Sequence, residues 1–393
     1  MNFDFFYHIP WDGIPNYLYV TYSIFLLCTL IQLHYYLVQH RKVVRFNPNA
    51  SQTSSKQLPV SVVICATNEQ QNLEKNLPLF LKQDYPQFEV VVVNNCSTDE
   101  SEMLLYSFKQ RHSNLQVTTI EQGQKFIHDR KLAITVGLKA ARYETIVFTE
   151  PDCAPDSDRW LASMQQAFGD EGEVVISYCR KQPHKGVAEK IMRCDSVFSA
   201  LFSLRAAIKG VPYRGSTKNM GIRQPIFFRN NGFARYSSYL LSEETLFLCR
   251  NANRQNTRVT LAHDAILSSD QRLTFGQWFR QKCTYTSLLN TGKRGRKRIY
   301  VEMLSRVLFH LCIVALACVA ALRQEYLTLV GVAAAPLLLL RFTAKVTILV
   351  GAAKKLRERG LVGWLLLYDI FSPLLAFVVS LAQPNLQKLK KIK

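Results

Sequence analysis

Acidic residues are scarce in this chain. Its 393 residues include 29 Asp and Glu against 49 Lys and Arg, a formal net charge of +20. Such an excess calls for an anionic partner: nucleic acid, a nucleotide diphosphate or an anionic lipid surface. No zinc-type Cys/His spacing, helix-turn-helix pattern or RNA-binding signature accompanies it, so no nucleic-acid partner is expected. Cys-x-x-Cys is absent as well. The ten cysteines are scattered singly. Cys28, Cys312 and Cys318 lie in apolar runs; Cys65, Cys96, Cys153 and Cys179 lie in or just after strand-like segments. That is the distribution of reduced, buried thiols, and it places the soluble part in the cytoplasm.

What is present is apolar length. The hydrophobic fraction of 48% is high for so basic a chain. Residues 17–38 contain no Asp, Glu, Lys or Arg and exceed the ~20 residues that a helix needs to cross a bilayer. The run lacks the basic start and small-residue cleavage site of a removable signal, so an N-terminal membrane anchor is expected over 1–45. His40, Arg41, Lys42 and Arg45 follow on its cytoplasmic side. Residues 304–322 and 361–382 are also long enough to span, the latter despite Asp369. Residues 326–350 are ambiguous, because Arg341 and Lys345 interrupt them. The basic runs at 293–298 and 354–359 mark cytoplasmic flanks. Four spans would put the Lys-rich tail at 388–393 outside, so one C-terminal segment is expected to lie in the interface instead. The expected protein is multi-pass, in the inner (cytoplasmic) membrane. A linker is expected over 46–58, a soluble domain over 59–292, and C-terminal membrane and interfacial helices over 293–393.

The soluble block alternates. Strands are predicted over 59–66, 88–95, 115–120 and 144–148, with helices to about residue 83, over 99–112 and over 130–141. Strict β/α alternation predicts an α/β fold with a mostly parallel sheet, whose ligands sit at the carboxyl ends of the strands. The loops there begin T-N-E-Q-Q-N-L at Thr67, N-N-C-S-T-D-E-S at Asn94 and T-E-P-D-C-A-P at Thr149. None is a glycine-rich phosphate loop. They offer amides, hydroxyls and carboxylates, groups suited to a base, a ribose and a divalent metal on a diphosphate. Helix capping by Asn68-Glu69 and Thr98-Asp99 is the plainer account of each loop taken alone.

These loops resemble glycosyltransferase family 2, nucleotide-sugar enzymes of the GT-A (Rossmann-like) fold with flanking transmembrane α-helices in membrane-bound bacterial members. The likeness runs from P-V-S-V-V-I-C-A-T-N-E through T-E-P-D-C-A-P and S-E-E-T-L-F to W-F-R-Q-K-C-T-Y, about residues 59–290. The resemblance implies that Thr67, Glu69, Asn95 and Arg130 bind the donor nucleoside. It puts Glu150 and Asp152 at the Asp-x-Asp positions, on the ribose and on Mg2+ or Mn2+ at the diphosphate. Glu244, beside Glu243, falls where the catalytic base stands. Gln281, counted with the donor-binding residues, heads the stretch where relatives carry a Gln-x-x-Arg-Trp motif that grips the diphosphate or the acceptor. This chain departs with Glu150 for Asp, Pro151 between the acids, Asn95 for Asp, Glu244 for Asp, and Thr284-Tyr285 for Arg-Trp.

The implied partners are a nucleotide-diphosphate sugar donor, a lipid-linked or glycan acceptor and the bilayer. An active inverting glycosyltransferase is the first reading. A catalytically weak or inactive relative that binds nucleotide sugar or scaffolds a glycan-assembly complex is the second, and a processive polysaccharide synthase the third. The surroundings of Glu244 favour an anionic ligand: no Asp or Glu occurs between Ser196 and Ser242, while Arg205, Lys209, Arg214, Lys218, Arg223, Arg229 and Arg235 do.

Overall fold

The computed structural model describes residues 14–47, 57–121, 129–234, 243–289 and 296–382. The Lys-rich tail, most of the expected linker and half of the basic run at 293–298 lie outside the described residues. α1 (Asn16–His34) continues through a π-helical turn (Tyr35–His40) into the short α2 (Arg41–Val44). The predicted alternation follows: β1 (Val60–Ala66), α3 (Gln70–Leu81), β2 (Phe88–Asn95), α4 (Ser101–Arg111), β3 (Leu115–Ile120), α5 (Arg130–Ala140) and β4 (Thr145–Thr149).

Beyond Thr149 the alternation breaks, and the order becomes β5 (Cys153–Pro155), α6 (Trp160–Gln166), β6 (Val174–Ile176), β7 (Cys179–Lys181) and α7 (Val187–Ile208). Then come β8 (Met220–Arg223), α8 (Gln224–Arg229), α9 (Glu243–Asn251), β9 (Thr257–Val259), β10 (Leu267–Ser269) and α10 (Phe275–Leu289). Three long helices close the chain: α11 (Arg296–Leu322), α12 (Leu327–Lys355) and α13 (Val362–Ala382).

The main sheet has seven strands in the order β3-β2-β1-β4-β8-β6-β9. Four of its six pairings are parallel; only β8 runs against its neighbours β4 and β6. A second sheet of three short strands, β5-β10-β7, lies beside the end of β4. Side-chain alternation gives the main sheet two cores. Val60, Val62, Ile64, Val90, Val92 and Val147 join one cluster with Leu73 and Leu77 of α3. Val63, Val91, Ile146 and Phe148 join the other with Ile134 and Leu138 of α5. Here α5 packs so close that a Cβ on Gly137 would lie 2.6 Å from Val63 Cγ1. This seats the helix start, and therefore Arg130, at the carboxyl ends of β1 and β4.

Four helical segments are long and apolar enough to cross a membrane: Asn16–Val44, Tyr300–Leu322, Leu327–Lys355 and Val362–Ala382. The ambiguous stretch is thus one 29-residue helix. Its intruding charges are paired within the bundle. Asp369 of α13 lies 3.3 Å from Arg341 Nη2 and 3.0 Å from Lys345 Nζ, both on α12. It also lies 3.2 Å from Arg306 Nη1 on α11 and accepts a 3.1 Å hydrogen bond from Tyr36. Arg306 in turn pairs at 2.7 Å with Glu302, which also meets His40 and, at 2.9 Å, Arg205 of α7. One buried ion network therefore joins the apolar helices to the α/β domain. Breaking such a network from one side strands its remaining charges. We expect Asp369→Ala to destabilise the detergent-solubilised protein by about 3–5 kcal/mol in denaturant unfolding. Leu381→Ala, at an exposed position, should change it by less than about 0.5 kcal/mol.

Candidate functional site

The carboxyl ends of β1, β2 and β4 meet at one cavity of about 770 Å³. Register places them there: Ile64 lies opposite Thr149, and Ala66 opposite Asn94. Thr67, Glu69, Asn95, Arg130, Glu150 and Asp152 all line this cavity. Its first two loops are stitched together. Asn68, in the left-handed region at φ 56°, donates its backbone N–H to Ser97 Oγ at 3.0 Å and accepts from the Thr98 N–H at 2.7 Å. Asp99 accepts from the N–H groups of Gln70 and Ser101, both at 3.1 Å, so its expected capping role is filled. Asn95 Oδ1 and Thr149 Oγ1 are buried on the cavity wall without a hydrogen-bond partner among the described residues. Buried polar groups are almost always satisfied, and a bound ligand is one way to satisfy these.

The third loop is a turn. Cys153 N donates to Glu150 O at 3.0 Å, which puts Pro151 at the second position of a four-residue turn. Proline's fixed φ suits that position, so Pro151 organises the loop and the two acids flank it. Asn76 of α3 donates to Pro151 O at 2.8 Å, and the Asp270 N–H to Asp152 O at 2.9 Å. Both carboxylates are already engaged. Glu150 Oε1 accepts from Arg130 Nη2 at 2.5 Å and from Thr217 Oγ1 at 2.8 Å. Asp152 Oδ2 accepts from Ser269 Oγ at 2.5 Å and from Lys218 Nζ, which also lies 3.5 Å from Glu150 Oε2. Burial pushes the Glu150 carboxyl upward, but Arg130 and Lys218 outweigh it and hold the group at about 2. Arg130 and Lys218 are raised above their ordinary values, because Glu150 overcomes their own desolvation.

That arrangement bears on the expected Mg2+ or Mn2+. Among the described residues no three His, Cys, Asp or Glu side chains gather as a metal site. The two acids that the sequence assigned to a metal are bridged and charge-balanced by Arg130 and Lys218. In this arrangement they do not fit a dication.

The remaining sequence candidates divide. Glu244 is buried near the start of α9 and is not among the residues lining the first cavity or the second one described below; it shares its field with Arg130 and Tyr285. Thr245 Oγ1 exchanges hydrogen bonds with the Gly215 backbone, at 3.3 and 3.2 Å, which ties α9 to the loop carrying Thr217 and Lys218. Glu243 heads the same helix, and its side chain lies outside the described residues. Gln281 does not join the first cavity. It lines a second, of about 310 Å³, with Trp278, Tyr285, Arg214 and Asp195. Gln271 belongs to both cavities, and Lys218 lines the second while bonding carboxylates of the first. The Arg214 guanidinium lies 5.0 Å over the Tyr285 ring, so an arginine from a distant loop stands beside the helix where the resemblance led one to look for it in α10. Sequence reasoning named Lys218 only as one of seven cations in the acid-free stretch and did not name Ser269. The usable signal was the acid-free stretch, whose cations must find carboxylates elsewhere in the fold.

The fold is that of a GT-A domain. The family model for glycosyl transferase family 2 matches residues 61–227. The chain is 25% identical over 256 residues to Glycosyltransferase AglE of Haloferax volcanii, covering 63% of this chain and 75% of that one. Poly-β-1,6-N-acetyl-D-glucosamine synthase of Staphylococcus epidermidis is 25% identical over 99 residues, 25% of this chain and 23% of that enzyme. In fold, it resembles the mannosyltransferase PcManGT of Pyrobaculum calidifontis, solved with GDP-Man and Mn2+. The TM-score is 0.55 at 17% identity, covering 86% of this chain and 99% of that one.

The pairing around Glu150 has a pH signature. Its carboxyl sits below the ordinary 4.5, so its stabilisation is complete above that value and fades as pH falls towards about 2. The difference in unfolding midpoint between wild type and Glu150→Gln should stay constant between about pH 8 and pH 5, then shrink below about pH 4.5. A difference that grows with acid contradicts the pairing.

Proposed function

We propose that the protein transfers a sugar from a nucleoside-diphosphate sugar to an acceptor hydroxyl, with inversion. The observation that carries this reading is the convergence of Thr67, Glu69, Asn95, Arg130, Glu150 and Asp152 on one cavity. The base and ribose lie against Thr67, Glu69 and the unsatisfied Asn95 Oδ1, which can accept from a base N–H. Arg130 faces the diphosphate. The acceptor enters by the second cavity and meets the sugar near Lys218. Glu244 takes the acceptor proton as the new bond to the anomeric carbon forms and the bond to the phosphate oxygen breaks. The leaving group departs as the nucleoside diphosphate on the opposite face.

A membrane setting supports a lipid-linked or glycan acceptor. Arg41, Lys42 and Arg45 follow the first apolar helix, which favours a domain on the cytoplasmic face. The second cavity lies beside α7 and α10, and Lys282 and Tyr368 from α10 and α13 both bond Asp195 on its wall. An acceptor headgroup reaching in from the bilayer would arrive at this point.

The test is nucleotide release from UDP- and GDP-sugars by the full-length protein in detergent, with lipid-phosphate and oligosaccharide acceptors. We expect turnover in the wild type and a loss of about 10²–10⁴-fold in Glu244→Gln, with nucleotide binding retained. Nucleotide binding without turnover on any acceptor would instead support the scaffold reading.

A further inference from the structure

We propose that the ammonium of Lys218, with the guanidinium of Arg130, replaces the divalent cation at Glu150 and Asp152, so that the donor diphosphate is bound and neutralised without a metal. The role in donor binding rests on the function proposed above; the exclusion of metal from the carboxylate pair does not.

Charge is the first argument. A Glu, an Asp and one dication sum to zero. Glu150 and Asp152 with Arg130 and Lys218 also sum to zero, so the pair already has the balance of a metal-loaded site. Little net negative charge remains to attract Mg2+ or Mn2+ against its strongly held water.

Occupancy is the second. Three of the four carboxylate oxygens face a protein donor or cation: Glu150 Oε1 faces Arg130 and Thr217, Glu150 Oε2 faces Lys218, and Asp152 Oδ2 faces Lys218 and Ser269. Asp152 Oδ1 has the Cys153 thiol 3.5 Å away. A metal would have to displace Lys218 from a position where its side chain is only 20% exposed.

Rigidity is the third. Asn219, the next residue, is buried and donates to Tyr178 O and Ala265 O, both at 2.8 Å, while accepting from Trp160 Nε1 at 3.3 Å. Lys218 N also donates to Ser216 Oγ at 3.3 Å. The residue next to the lysine is therefore tied to three separate segments of the chain. Two N–H groups of the ammonium are spent on Asp152 and on Ser269 Oγ at 2.9 Å. Glu150 Oε2 lies 3.5 Å from the same nitrogen, too far for a good hydrogen bond, which leaves the third N–H for a phosphate oxygen. A preorganised cation on the wall between the cavities acts where charge develops on the leaving group.

The experiment compares wild type, Lys218→Met and Lys218→Arg, full length in detergent. Mn2+ binding is read by electron paramagnetic resonance with and without UDP or GDP, and donor hydrolysis or transfer is read with excess EDTA or with Mg2+. We expect the wild type to bind no stoichiometric Mn2+ and to keep its activity in EDTA within about twofold. Lys218→Met, with the carboxylates uncovered, should gain a Mn2+ site and lose metal-free turnover by about 10²–10³-fold. Lys218→Arg should retain metal-free nucleotide binding. One tightly bound Mn2+ in the wild type, or activity abolished by EDTA and restored by Mg2+, overturns the proposal. If no donor turns over, the function proposed above fails, and Mn2+ binding still decides the metal question. If Lys218→Met does not fold, the wild-type Mn2+ titration decides it alone.

Discussion

Parallel pairing of β1 between β2 and β4 is the constraint on which the site depends. Because all three strands run the same way in matched register, the segments that leave their carboxyl ends emerge side by side. An antiparallel β2 or β4 would send one of these loops to the opposite edge of the sheet. The two cores hold that register from both faces: a one-residue slip would move Val62 and Val90 to the α5 side and Val63 and Val91 to the α3 side. Gly137 then lets α5 settle against Val63, and Arg130 arrives above the end of β4.

On this scaffold the chemistry becomes a matter of charge balance. Two acids at the end of β4 meet cations from α5 and from the loop before β8. Hydroxyls of Thr217 and Ser269 donate to the same oxygens that these cations meet, Glu150 Oε1 and Asp152 Oδ2. The antiparallel insertion of β8 is what makes the second contact possible, since it runs alongside β4 and brings the residues that precede it to the same edge. The small sheet contributes Ser269 from β10, next to the turn of Pro151. The proline that looked out of place between two acids is therefore the residue best suited to its position in the turn.

The apolar helices belong to the same structure. Val43 of α2 and Leu349 and Ala352 of α12 join the cluster that contains Val63 and Phe148 of the sheet. Arg205, on a helix of the α/β domain, shares Glu302 with Arg306 in the bundle. A shift of the bundle against the domain would separate buried charges, which is costly in an apolar surrounding. The domain is thus held at a set height and orientation against whatever bilayer the helices enter, and the second cavity faces that junction.

The local chain was enough to determine the first four strands and their helices, the edge of the sheet at which to search, and much of the wall of the first cavity. Thr67, Glu69, Asn95, Glu150 and Asp152 each end a strand or lie within a few residues of its end, so backbone direction alone places them. Three apolar segments were legible by length, one of them despite Asp369; the stretch 326–350 stayed ambiguous because Arg341 and Lys345 interrupt it, and its single long helix emerged only in the structure. Tertiary structure decided the rest, because it turns on meetings across long stretches of chain. Lys218 reaches Asp152 from 66 residues away, and Asp369 meets Arg306, Arg341 and Lys345 from neighbouring helices. Gln281 was assigned to the donor and lies in the adjoining cavity. Charges that look unpaired along a sequence are paired in space, and no local pattern records which partner each one finds.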